Sequence, residues 1–385
     1  MDYREGSKIK GYVYNDVVWM GRGDRNKNYS VRFNFGCHIS ESKMFKMQYA
    51  DGIMGLTKNP NTLPYKLAYD RVTSSSLFSL CLSRTGGQIN VGGTNESTLA
   101  SEFVSTSLNS GSQFYVVNVR EVSIAQEDGS WEPLNVDIEK FNRGQGTIVD
   151  SGTTFTYVPG EVATQFAQTA ESKCNSAGQN CGSTFYSKEV GGERTLCIDI
   201  PSGRSKGDFD SQQPPEYLDG ILPTLQMAFA GASMTIPPSQ YLFSYYSAKS
   251  SGWGKTWCIG IFGFQNSGAI LGANVMQGYV FQFDGNNDKL SFSLGHCDKL
   301  NSCKRCDAFL NNHSSGNEYL QRLITLWSEH ALAIIGILAG IMLVSVGIVY
   351  WKRRRRNALA HQRLEEDEPV AVQNDDAQES QPQSS

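Results

Sequence analysis

Gly146-Thr147-Ile148-Val149-Asp150-Ser151-Gly152-Thr153-Thr154-Phe155-Thr156-Tyr157-Val158-Pro159 puts one acid at the end of a short apolar run and follows it with a small hydroxyl residue and a glycine. The apolar, β-branched run reads as a buried strand, which would hold the Asp150 carboxylate in a poorly solvated place. Gly152 lets the chain turn tightly beside it, and the hydroxyls of Ser151, Thr153 and Thr154 can hydrogen-bond it into one orientation. The four letters D-S-G-T alone also describe a surface turn, so the flanking residues carry the reading. An acid held this way is suited to activating water. No other D-[ST]-G occurs in the chain.

Outward from this stretch, short β-branched or aromatic runs are broken throughout by Gly, Asn, Asp and Ser, and 38 of the 385 residues are Gly. The pattern predicts an all-β protein. Strands are expected at Gly11–Trp19, Tyr29–Phe35, Gln88–Val91, Phe114–Ile124, Thr147–Val149, Ala269–Gly272, Tyr279–Asp284 and Lys289–Leu294. Helices are expected at Thr62–Arg71 and Gly160–Lys173, with a short one near Pro223.

A net charge of -4 shows no basic excess, so electrostatics give no reason to expect a nucleic-acid partner. Nine cysteines are widely scattered, and the close pair Cys303/Cys306 has no second C-x-x-C or His pair to make a zinc site. No metal or other cofactor is expected. Disulfides are the better reading, and the sequons at Asn28, Asn95 and Asn312 point with them to an oxidising, secretory compartment.

Residues Ala331–Trp351 form 21 positions without a charge, long enough as a helix to cross the roughly 30 Å core of a bilayer. Lys352-Arg353-Arg354-Arg355-Arg356 follows at once, and such a cluster stays in the cytosol. A single-pass type I protein is therefore expected, anchored in membrane lipid, with residues 1–330 lumenal or extracellular. After Arg356 the chain turns acidic and nearly free of apolar side chains, so residues 352–385 are expected to be a disordered cytosolic tail, its acidic part a candidate site for a sorting adaptor. Met1 is followed by Asp2-Tyr3-Arg4-Glu5 and no charged-then-apolar leader, so this sequence is expected to continue a longer one that begins with a signal peptide.

The stretch around Asp150 resembles the second Asp-Thr/Ser-Gly turn of the pepsin-like aspartic proteases. Asp51-Gly52-Ile53-Met54-Gly55-Leu56 and Ala269-Ile270-Leu271-Gly272 are similar to the paired hydrophobic-Gly elements of that family's two lobes. Phe114-Tyr115-Val116-Val117 resembles the strand opening the second lobe, Leu222-Pro223 through Tyr241 follows the usual spacing, and Tyr279-Val280-Phe281-Gln282-Phe283-Asp284 resembles the closing strand. Tyr3-Arg4-Glu5-Gly6-Ser7 is similar to the tip of the flap that folds over substrate. Phe33-Asn34-Phe35-Gly36-Cys37 and Phe78-Ser79-Leu80-Cys81-Leu82 are closest to a cysteine-richer branch found in plants and parasites.

This resemblance implies a bilobal all-β fold whose first lobe is incomplete: residues 1–107 the remainder of the first lobe, 108–298 the second, 299–330 a stalk, then the 331–351 span and the 352–385 tail. It implies an aspartic endopeptidase acting on proteins or peptides, in which two carboxylates share one proton and activate a water. Asp150 would be one acid, Ser151 would make a contact between lobes, and Thr153 would bond the outer oxygen of Asp150. Tyr3, Gly6, Ser151, Gly152, Thr153 and Thr154 would meet the substrate. The first acid is missing from these residues, so the chain by itself is expected to be inert, and a pseudoprotease that binds polypeptides without cutting them is the alternative. The resemblance also implies a late bridge between Cys258 and Cys297 and one between Cys37 and Cys81, the other pairings staying open.

Overall fold

The computed structural model describes residues 8–20, 29–42, 52–178, 181, 184–190, 192–201, 213–245, 254–264 and 267–297. The span expected at 331–351, the stalk, the tail and the Tyr3/Gly6 flap tip lie outside them. No helix among the described residues is long and apolar enough to cross a membrane.

The described chain is mostly β-sheet, as its broken β-branched and aromatic runs predict. Five sheets account for it. One five-stranded sheet runs Ile261–Phe264, Thr156–Pro159, Ala269–Leu271, Thr147–Val149 and Val116–Val117, with Ala269–Leu271 parallel to Thr147–Val149. Thr147, Ile148 and Val149 are all buried, the continuous burial of an inner strand covered on both faces. A second five-stranded sheet orders Gly86–Val91, Phe78–Ser83, Tyr279–Asp284, Lys289–Leu294 and Val104–Ser107, so strands from before and after residue 107 share it.

Two four-stranded sheets and a hairpin complete the fold. The first sheet is Tyr186–Val190, Glu193–Pro201, Gly254–Ile259 and Leu242–Tyr245, and the second Ala232–Ile236, Leu225–Phe229, Val119–Ala125 and Trp131–Pro133. Ile9–Trp19 and Ser30–Glu41 form a two-stranded hairpin. The main core gathers Phe141, Phe166, Trp257, Phe281 and Phe292, with Tyr241 buried among them and its hydroxyl donating to the Pro223 carbonyl at 2.9 Å.

Helix Gly160–Ala177 continues four residues beyond its expected end. Val162, Phe166, Ala170 and Cys174, each four positions apart, make one buried stripe against the sheet. Gly178, with φ +58°, ends it. The expected helix at Thr62–Arg71 is Leu63–Tyr69, and the short helix expected near Pro223 is a 3-10 helix at Glu216–Gly220.

The cysteines pair otherwise than the resemblance implied. Cys197 and Cys258 stand opposite each other on neighbouring antiparallel strands with Cα atoms 4.0 Å apart, so Cys258 is taken by Cys197. Cys81 pairs with Val280 in the ladder, and the chain leaving Lys289–Leu294 brings Cys297 back beside both, so Cys297 bonds Cys81. Cys174 and Cys181 close the end of the long helix. Cys37, on the hairpin, is a free and exposed thiol.

Candidate active site

Asp150 follows directly on the buried strand Thr147–Val149, and its backbone N–H donates to the Leu271 carbonyl at 3.0 Å. The parallel strands therefore fix the acid from behind. Its side chain is fixed from in front: the Gly152 N–H donates to Oδ1 at 2.8 Å and the Thr153 hydroxyl to Oδ2 at 2.7 Å. One donor on each oxygen sets the plane of the carboxylate and leaves each oxygen a lone pair for a water or a substrate. A Cβ at Gly152 would sit 3.1 Å from Oδ1, so a larger residue would crowd the oxygen that its own N–H holds.

Beneath the turn lies a buried polar pair that the sequence reading did not single out. Thr156 donates its hydroxyl to Asn274 Oδ1 at 2.9 Å and accepts from the Gly272 N–H at 3.1 Å, while Asn274 Nδ2 donates to the Gly260 carbonyl at 3.0 Å. The backbone N–H groups of Ala273 and Asn274 donate to the carbonyls of Thr153 and Thr154 at 2.7 and 3.1 Å. The turn after Asp150 and the Gly272–Met276 segment are thus locked to each other. The signal was present in part: Thr156 belongs to the quoted stretch and Asn274 lies two residues past Gly272.

Gly272 permits this closeness, because a Cβ there would lie 2.2 Å from the Phe155 carbonyl oxygen. The Phe155 ring meets Phe243 and Phe262 at centroid distances of 4.4 and 5.3 Å, and Tyr157 stacks on Phe262 at 5.6 Å. These rings give the turn a partly buried apolar floor.

Of the residues expected at the site, Asp150, Gly152 and Thr153 are brought together by hydrogen bonds. Ser151 and Thr154 are exposed on the same turn. Tyr3 and Gly6 lie outside the described residues. Among the described residues, no group of three or more His, Cys, Asp or Glu side chains is arranged to hold a metal ion.

An aspartate at the end of a buried strand, held by the next glycine amide and a threonine hydroxyl, agrees with the comparison to known sequences: residues 1–294 match the family model described as eukaryotic aspartyl protease. The chain belongs to the eukaryotic aspartyl protease family. Within that family it is similar to plasmepsin V of Plasmodium falciparum, 23% identical over 401 residues covering 86% of this chain and 64% of the relative. It is also similar to aspartic proteinase nepenthesin-1 of Nepenthes gracilis, 22% identical over 304 residues, 77% of this chain and 60% of the relative. A 97-residue segment is 37% identical to aspartic protease 5 of Toxoplasma gondii, covering 24% of this chain and 10% of that protein. The chain thus spans less than two thirds of the length of these aspartyl proteases.

Proposed function

We propose that Asp150 is one of the two acids of a membrane-anchored aspartic endopeptidase that hydrolyses peptide bonds of proteins. The observation that carries this reading is the Asp150 carboxylate held by Gly152 and Thr153, with each oxygen keeping room for a reacting water. The chemistry takes two carboxylates: one ionised acid draws a proton from the water while its protonated partner donates to the peptide carbonyl oxygen. Residues 1–385 hold one D-[ST]-G turn, so the second acid comes from a further turn of the same kind. Ser151 and Thr154, exposed beside Asp150, are positioned to meet that turn or the substrate, and Tyr3 and Gly6 would form the covering flap. The two lobes meet near residue 107.

Three disulfides support a secretory compartment for the described residues. The uncharged stretch 331–351 and the basic cluster after it support a type I anchor, with Asn28 and Asn95 lumenal glycosylation sites and the acidic tail a cytosolic adaptor site. The single D-[ST]-G turn favours one second reading, a pseudoprotease that holds polypeptides in its cleft without cutting them. The test is hydrolysis of a peptide library between about pH 3 and 7 by the protein isolated from its cells, with and without a statine-type mimic of the tetrahedral species. Cleavage that the mimic blocks is expected. Peptide binding with no cleavage would establish the second reading instead.

A further inference from the structure

Asn274 is the only asparagine or glutamine that is buried among the described residues, at 7% exposed. Taking an amide out of water is costly unless both of its ends are bonded, and here both are. Each partner also fixes a direction. The Gly260 carbonyl can only accept, and it takes Asn274 Nδ2 at 3.0 Å together with the Thr156 N–H at 3.2 Å. Asn274 Oδ1 therefore faces the Thr156 hydroxyl, which gives it a proton at 2.9 Å while its own oxygen receives the Gly272 N–H at 3.1 Å. Gly260 leaves the amide its room, because a Cβ there would lie 3.2 Å from Nδ2 and 2.9 Å from Phe155 Cδ1. One side chain thus joins three stretches far apart in sequence, at 156, 260 and 272.

Those stretches meet behind the Asp150 turn. The N–H of Ala273, the neighbour of Asn274, donates to the Thr153 carbonyl at 2.7 Å, and the Asn274 N–H to the Thr154 carbonyl at 3.1 Å. Thr153 in turn supplies the hydroxyl on Asp150 Oδ2 at 2.7 Å. The Asn274 side chain bonds the backing stretches and not Asp150 itself, yet it sets the backbone from which that hydroxyl is aimed. A reacting group has to be held within about 0.5 Å of its working position, and a misplacement of about 1 Å costs about a hundredfold in rate.

On the reading of Asp150 as one of two reacting acids, we infer that Asn274 is a positioning residue for the reaction: by tying Gly260, Thr156 and Gly272 together it holds Thr153 where its hydroxyl orients the Asp150 carboxylate toward the reacting water. The role needs a donor at one end of the side chain and an acceptor at the other. Leucine fills the volume and makes neither bond. An ionised aspartate keeps the acceptor for Thr156 but turns a charged oxygen toward the Gly260 carbonyl, whereas a protonated one donates an O–H there as the amide does.

The test measures kcat and KM separately, on one peptide that the native full-length protein cleaves, for Asp150→Asn, Asn274→Leu, Thr153→Val, the Asn274→Leu/Thr153→Val double variant and Asn274→Asp. Asn274→Leu is expected to lower kcat about ten- to a hundredfold with KM within about twofold of native. The double variant is expected within about threefold of Thr153→Val alone, because Asn274 acts through that hydroxyl. Losses that multiply, or a raised KM at native kcat, would overturn the inference. Asn274→Asp is expected to recover toward native turnover as pH falls from about 7 to about 4, and it decides the case where Asn274→Leu does not fold. A ratio to native that stays flat with pH would overturn the role. Asp150→Asn separates two failures. No cleavage by the native protein, or native turnover by Asp150→Asn, would sink the reading of Asp150; an inactive Asp150→Asn beside a folded Asn274→Leu with native kcat would sink the role of Asn274 alone.

Discussion

The Thr156 hydroxyl donates to Asn274 Oδ1 at 2.9 Å in a buried position, and the Thr156 hydroxyl oxygen itself accepts from the Gly272 N–H. Through these two bonds the strand that follows the Asp150 turn is tied to the chain that backs it. Thr156→Val would keep the shape and leave both the Gly272 N–H and Asn274 Oδ1 without their partner. Two orphaned buried groups cost about 1–3 kcal/mol each, so a loss of about 2–6 kcal/mol is expected in urea unfolding. A change within about 0.5 kcal/mol would show that the pair does not hold the turn.

Gly272→Ala is expected to be worse, because the new methyl meets backbone rather than a flexible side chain. A loss of about 3 kcal/mol or more, or failure to fold, is expected. Gly36→Ala serves as the control, since a Cβ there has nothing within 4 Å. Comparable stability of the two variants in urea would contradict the close packing at Gly272.

The three bridges should differ in worth. Cys81–Cys297 closes a separation of 216 residues and Cys174–Cys181 one of 7, so chain entropy assigns about 5 and about 2 kcal/mol. The double Ser variant of the first pair is expected to unfold at clearly lower denaturant than that of the second. The reverse order would mean that the long bridge constrains little in the unfolded chain.

Much of this arrangement was legible in the sequence. Tyr279–Asp284 and Lys289–Leu294 stand as expected because their apolar, aromatic runs are buried nearly throughout and end in turn residues. Phe114–Ile124 reads as one strand but divides at Asn118, with Val116–Val117 joining the sheet behind Asp150 and Val119–Ala125 another sheet. The Asn142 side chain takes the Val119 N–H and donates to its carbonyl, both at 2.9 Å, where the chain changes sheets. Nothing local announces that partner. Tyr186–Val190 and Glu193–Pro201 escaped notice because charged residues interrupt them and their ladder closes on Gly254–Ile259 from far along the chain. The cysteine pairings depend on the same distant strand neighbours.

A pH dependence follows from Glu161, whose carboxyl is held below its usual range by the Lys140 ammonium and then by the Asp137 N–H. A depressed folded-state value means that its stabilisation is present above the unfolded value of about 4.3 and is lost as pH falls through the folded one. Both partners are substantially exposed, so the effect is small. Glu161→Gln is expected to flatten the fall in urea midpoint below about pH 4.5 and to lower the midpoint slightly at pH 6. An unchanged acid limb would contradict this.

The central claim is that Asp150 does the chemistry, and the most direct measurement is kcat/KM of the two-acid protease proposed above, with Asp150→Asn against the native enzyme. The substitution keeps the shape and removes a carboxylate from the pair that shares a proton, so a loss of at least about a thousandfold is expected, with thermal unfolding little changed. The native enzyme should show a bell-shaped pH profile belonging to the pair of acids. Near-normal turnover by the Asp150→Asn enzyme would contradict the account.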